Sequence, residues 1–127
     1  MIRYLNELGK GEEVEHEESY HEFVERLFAK RCDGLDGILH AAIGIAGEAG
    51  EILDAAKKTW VYGKPLDEDN LIEELGDLEF YMQALRTRLG VSREYVLAQN
   101  MAKLNKRYPE GYTDKAAQAR ADKVAEG

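Results

Sequence analysis

Two pairs of carboxylates, Glu48-Ala-Gly-Glu51 and Glu74-Leu-Gly-Asp77, stand in helical segments that supply nothing basic to neutralise them. Between Leu39 and Ala56 the ionisable residues are His40, Glu48, Glu51 and Asp54; between Leu66 and Leu85 there are seven acids and no Lys, Arg or His. Residues three apart share a helix face, so each pair points two like charges the same way. Burying such charges without a partner costs on the order of several kcal/mol per ion. The chain can leave all four acids in water, the usual fate of Glu on a helix, or gather them around a cation. Gathering them requires the two helices to be antiparallel neighbours. The 22 residues from Ile52 to Glu73 hold the end of one helix, a turn and the start of the next, the length of a helical hairpin. The positions four residues after each acid are Ile52, Ala55, Leu78 and Tyr81, so the ordinary surface pairing with a base is missing. A divalent metal is the natural counter-charge, and Mg²⁺ takes oxygen ligands while leaving room for phosphate oxygens.

The rest of the chain reads as helix as well. Ser19 with Glu22 forms a capping box, and Tyr20, Phe23, Val24, Leu27 and Phe28 follow helical spacing, predicting a first helix to about Lys30. Cys32-Asp33-Gly34 breaks it. A long second helix is expected from Leu35 to Trp60, carrying Gly44, Gly47 and Gly50 at every third position. Each mid-helix glycine costs about 1 kcal/mol against alanine, so the strip implies close approach by another helix, within the chain or across a subunit boundary. Tyr62-Gly63-Lys64-Pro65 is a turn, and Asp67 or Asp69 can cap a third helix running to Leu89, stopped by Gly90, with Leu71, Leu75, Leu78, Met82 and Leu85 inward. Ser92 caps a fourth, with Leu97, Met101 and Leu104 inward, ending before Pro109. No segment shows sustained strand alternation. The expected organisation is an N-terminal arm over 1–18, an all-α antiparallel bundle of about four helices over 19–113, its core completed by oligomerisation, and a frayed or disordered tail over 114–127.

Charge and composition narrow the partners. A net charge of −8 argues against duplex DNA or an anionic membrane. No apolar run approaches the ~20 residues of a membrane span, and the first residues lack a signal-peptide pattern. Cys32 is alone, so neither a disulfide framework nor a thiolate metal site is available, which suits a reducing cytoplasm.

Further candidates each carry a plain alternative. Lys58 continues the seam Glu48, Glu51, Ala55, and can touch a phosphate or simply lie on the surface. Asp54, four residues before it, is explained by a salt pair with it. Glu73 is a further ligand, a supporting acid or a helix-start charge. Asn100, Lys103 and Arg107 fall on one stripe of the fourth helix that suits phosphate or sugar oxygens, Arg107 in bidentate fashion, though such a stripe can also be a solvated face. Trp60 and Tyr62 can stack on a base or pack the turn. His40 has no companion at metal-ligand spacing and reads as a core or edge histidine. No Glu-x-x-His motif, Gly-rich phosphate loop, Ser/His/Asp set or cysteine nucleophile is evident.

With these residues in view, the stretch 35–113 resembles the MazG-like members of the all-α nucleotide pyrophosphohydrolase superfamily. The resemblance rests on the Glu-x-x-Glu pair, on Glu-Glu-Leu-Gly-Asp at 73–77 and on the run Asn100 to Pro109. It implies metal ligation by Glu48, Glu51, Glu74 and Asp77, with Mg²⁺ as cofactor and Mn²⁺ able to substitute. It implies hydrolysis of a nucleoside triphosphate, a dNTP above all, to the monophosphate and pyrophosphate, with Glu48 or Glu51 accepting the proton of water. Asn100, Lys103 and Arg107 are the implied substrate contacts, and a homo-dimer or homo-tetramer is the implied assembly. dUTPases and phosphoribosyl-nucleotide pyrophosphohydrolases share the layout. A non-catalytic helical partner protein is the reading from another class.

Overall fold

The computed structural model of the chain describes residues 2–5, 13–28 and 33–123. Lys30, Cys32 and the acidic stretch around Gly11 lie outside them. Two short strands, β1 (Ile2–Leu5) and β2 (Glu13–His16), pair antiparallel with Ile2 opposite His16 and Leu5 opposite Glu13. The arm read as irregular therefore contains a ribbon. Four helices of nine residues or more follow: α1 (Tyr20–Phe28), α2 (Gly34–Tyr62), α3 (Glu68–Leu89) and α4 (Arg93–Arg107). A short α5 (Asp114–Ala119) and a 3₁₀ turn (Ala121–Lys123) stand in the segment expected to fray. The fold is all-α apart from the ribbon.

Local chemistry sets the helix ends. The Ser19 hydroxyl accepts from the Glu22 N–H at 3.1 Å, and the Glu22 carboxylate accepts from the Ser19 N–H at 3.2 Å, closing the capping box. Gly63, at φ 64°, ends α2 in the left-handed conformation that a side chain resists. The Asp67 carboxylate accepts from the Asn70 N–H at 3.0 Å to start α3, and Ser92 caps α4 through the Tyr95 N–H at 3.1 Å.

The chain divides into two compact units, one up to Leu89 and one from Gly90. In the first, α2 and α3 pack along each other and α1 packs on α3. Val24, Phe28, Ala41 and Ala84 form the buried cluster, with Phe23, Phe80, Tyr81 and Leu85 against it. Arg88 fastens α1 to α3: its guanidinium donates to Glu25 at 2.9 Å and lies 4.7 Å from the centroid of the Phe28 ring. His40 is an edge histidine, 4.8 Å from the Phe28 ring.

The core differs from the expected one. Leu71, Leu78 and Leu85 are half-buried, but Leu75 and Met82 are exposed. Ala41, Ala55 and Ala84 occupy buried positions instead. Small side chains let helices approach closely, and large ones are then displaced outward. Of the glycine strip, Gly44 alone meets a neighbour: a Cβ there would collide with the Tyr81 ring, whereas Gly47 and Gly50 face open space. In the second unit α4 packs with α5 and the 3₁₀ turn, and no residue of α4 is buried. Leu97, Met101 and Leu104, expected inward, are exposed. Among the described residues no helix is long and apolar enough to cross a membrane.

Candidate metal centre

α2 and α3 bring three of the four paired acids together. Glu48 from α2, and Glu74 and Asp77 from α3, offer carboxylate oxygens that all lie within 4.8 Å of one another. Glu48 and Glu74 are half-buried and Asp77 is exposed. Among the described residues, no salt bridge reaches any of the three. Glu51, one turn along α2, is exposed and stands outside this group, yet its charge still bears on Glu74.

The electrostatics are those of crowded like charges. The Glu74 carboxyl is raised above its ordinary value, first by a hydrogen bond with Glu48, then by desolvation and by the charges of Glu48, Asp77 and Glu51. A bond between two carboxyls needs a proton between them. A cation held among these oxygens would relieve the same repulsion that favours the proton. Three convergent oxygen donors with no basic partner are a hard-cation donor set, open on the solvent side where waters or phosphate oxygens can complete the shell.

The remaining candidates are placed as follows. The Lys58 ammonium pairs with Asp54 at 3.0 Å, and its pKa is raised by that bond, by the Asp54 charge and by Glu51. The lysine therefore feels both its salt partner and the acid seam. Lys58 also borders a notch of about 280 Å³ with Ala55, Lys64, Pro65, Asp67 and Asn70, at the turn end of the hairpin. Lys64 and Asn70 were not singled out in the sequence. Their signal was weak, since a turn lysine and a first-turn asparagine are both common. Glu73 is exposed, one residue before the cluster. Trp60 is 88% exposed and Tyr62 is exposed. Asn100 and Lys103 are exposed on α4, in the second unit. Arg107 is half-buried there, its Nε and Nη2 donating to the two Asp122 oxygens at 2.7 and 3.0 Å.

Comparison with known proteins decides the family. Residues 39–112 match the MazG nucleotide pyrophosphohydrolase domain, more than half of the 127 residues. The chain belongs to the MazG nucleotide pyrophosphohydrolase family. A curated relative, the Gene 37 protein of Mycobacterium phage L5, is 33% identical over 84 residues, covering 63% of this chain and 74% of the phage protein. No solved structure gives a significant match. The MazG match takes in all four paired acids and Asn100, Lys103 and Arg107, and it stops short of Asp122. As a member, the chain is a hydrolase of nucleotide pyrophosphate bonds, and its acid cluster could hold the metal on which such enzymes depend.

Proposed function

We propose that this MazG protein hydrolyses nucleoside triphosphates, dNTPs above all, to the monophosphate and pyrophosphate with Mg²⁺, which Mn²⁺ can replace. The observation that carries the reading is the convergence of Glu48, Glu74 and Asp77 across the hairpin, with no salt bridge to any of them among the described residues. These three residues hold the cation. Bound there, Mg²⁺ supplies charge neutralisation for the triphosphate and acidifies water. Glu51, beside the cluster but outside it, completes the ligand set at most loosely and is assigned the proton of the attacking water. Lys58, with Lys64 at the neighbouring notch, meets the phosphates leaving as pyrophosphate. Asn100, Lys103 and Arg107 bind the remaining phosphate and sugar oxygens.

The same reading includes a homo-dimer or homo-tetramer. Leu39, Ile43, Ala46, Gly50, Leu53, Lys57 and Trp60 recur along α2 at alternating steps of four and three, and all are exposed. That is the spacing of a helix–helix seam, about 30 Å long by helical rise, and apart from Lys57 it carries no charge. A second copy of the chain is the occupant that matches a seam so regular. The enzyme acts in the cytoplasm on free nucleotides, binding neither nucleic acid nor membrane.

The test is a substrate panel. Purified protein is incubated with each canonical dNTP and NTP, dUTP, dUDP and a phosphoribosyl nucleotide, with and without Mg²⁺, and pyrophosphate and monophosphate are measured. Release from a triphosphate, lost in the Glu51→Gln variant, supports the reading. Preference for dUTP and dUDP identifies a dUTPase-like enzyme, and turnover of the phosphoribosyl nucleotide alone identifies the other relative. No release from any substrate leaves the non-catalytic partner protein.

A further inference from the structure

The C-terminal segment closes on the one arginine of the nucleotide stripe. After α5 the chain reverses at Arg120, a non-glycine residue in the left-handed conformation at φ 47°. Such a backbone costs about 1 kcal/mol or more and persists where surrounding contacts impose it. The reversal brings the 3₁₀ turn against α4 and sets both Asp122 oxygens on the Arg107 fork at 2.7 and 3.0 Å. The Asp122 side chain is 5% exposed and that of Arg107 17%. The pairing draws the Asp122 carboxyl below its ordinary value, chiefly through the Arg107 hydrogen bond, so the acid is charged at neutral pH. Two parallel N–H···O⁻ bonds from one guanidinium are also the geometry by which arginine takes a phosphate.

We infer that Asp122 is an intramolecular stand-in for a substrate phosphate, so that the segment from Asp114 to Lys123 is an autoinhibitory strap that nucleotide must displace from Arg107. The strap lies beyond the residues that match the family domain, which end at residue 112. The inference rests on the proposed phosphate role of Arg107. An apparent dissociation constant rises by the reciprocal of the competent fraction, so a strap closed in about two thirds to nine tenths of molecules weakens binding about threefold to tenfold.

The experiment compares the full chain with its Asp122→Asn, Arg107→Gln and double variants, each checked for helix content by circular dichroism. Affinity for a non-hydrolysable α,β-imido triphosphate is measured by calorimetry with Mg²⁺. Hydrogen exchange follows residues 114–123 of the unaltered protein as inorganic tripolyphosphate is added. The strap predicts tighter nucleotide binding in Asp122→Asn by about threefold to tenfold, no such gain in the double variant over Arg107→Gln, and faster exchange when tripolyphosphate is present. Unchanged or weaker binding by a folded Asp122→Asn protein, or exchange indifferent to tripolyphosphate, overturns it and leaves the pair a structural clasp. Tripolyphosphate release of the segment needs no turnover. A strap that opens in a protein without hydrolytic activity therefore separates failure of the enzymatic reading from failure of this one.

Discussion

Glu48 and Glu74 bring carboxylate oxygens within 4.8 Å of each other across the α2–α3 hairpin, and a proton on one of the two relieves their repulsion. Glu74, the group raised from 4.5, holds its proton more tightly in the folded protein than in the unfolded chain. Its contribution to stability is therefore most favourable below 4.5 and declines as pH rises through the raised folded value; above that value the repulsion is fully present. In EDTA, the melting temperature of Glu74→Gln minus that of the unaltered protein should be smallest near pH 4.5 and grow toward pH 7.5. Adding Mg²⁺ at pH 7.5 should raise the melting temperature of the unaltered protein and not that of the variant. A difference between the two proteins that stays level with pH in EDTA would contradict the assignment.

Removing a ligand charge should disable the reaction while sparing the fold. Glu74→Gln and Asp77→Asn each take a carboxylate oxygen from the cluster. Each should lower kcat/KM by about 100-fold or more at millimolar Mg²⁺, given that supporting residues alone are worth about 10- to 100-fold. Steady-state pyrophosphate release checks this. Activity within about threefold of the unaltered protein in both variants would remove the cluster from the mechanism.

Gly44 should behave differently from the other glycines of the strip. Gly44→Ala drives a methyl into the Tyr81 ring and should destabilise the protein by about 1–3 kcal/mol in urea unfolding. Gly47→Ala meets no atom and should instead gain up to about 1 kcal/mol of helix propensity. Equal effects at the two positions would mean that the Tyr81 ring yields easily.

The exposed α2 seam should set the assembly state. Leu53, with Ala56, Lys57, Trp60 and Val61, lines an apolar groove on the surface of that helix. Leu53→Glu should convert a dimer or tetramer to lower-mass species by light scattering, because taking a carboxylate out of water between copies is costly even beside Lys57. An unaltered protein that is monomeric at micromolar concentration would dismiss the seam as an interface.

The parts of this molecule set by neighbouring residues were readable before the fold was known. Ser19 with Glu22, Asp67, Ser92 and Gly63 mark helix ends through bonds to residues close by in the chain, Gly90 does so by its left-handed backbone at φ 68°, and each stands where the sequence placed it. The meeting of Glu48 with Glu74 and Asp77 was legible for another reason: unneutralised acids on two adjoining helices leave few arrangements. What size of residue would fill the helix interface was not legible. Leu75 and Met82 look like core by hydropathy, but the close approach that Ala41 and Ala84 permit leaves them outside. α4 misled for a related cause, since Leu97 and Met101 carry a periodic apolar face whatever surface eventually covers it. The Arg107–Asp122 pair escaped because nothing periodic in the charged tail distinguishes Asp122 from its neighbours.

Glu48 stands midway between Ala41 and Ala55, seven residues from each, and both alanines are buried. Ala41 packs in the core cluster with Ala84 of α3, so its methyl group helps to set the spacing of the hairpin two turns from the carboxylates. Oxygen shells of Mg²⁺ and Ca²⁺ differ in radius by only about 0.3–0.5 Å, less than the added breadth of a valine. At the proposed cation site, a valine in place of Ala41 would therefore bear on which ion fits without touching any of the three carboxylates.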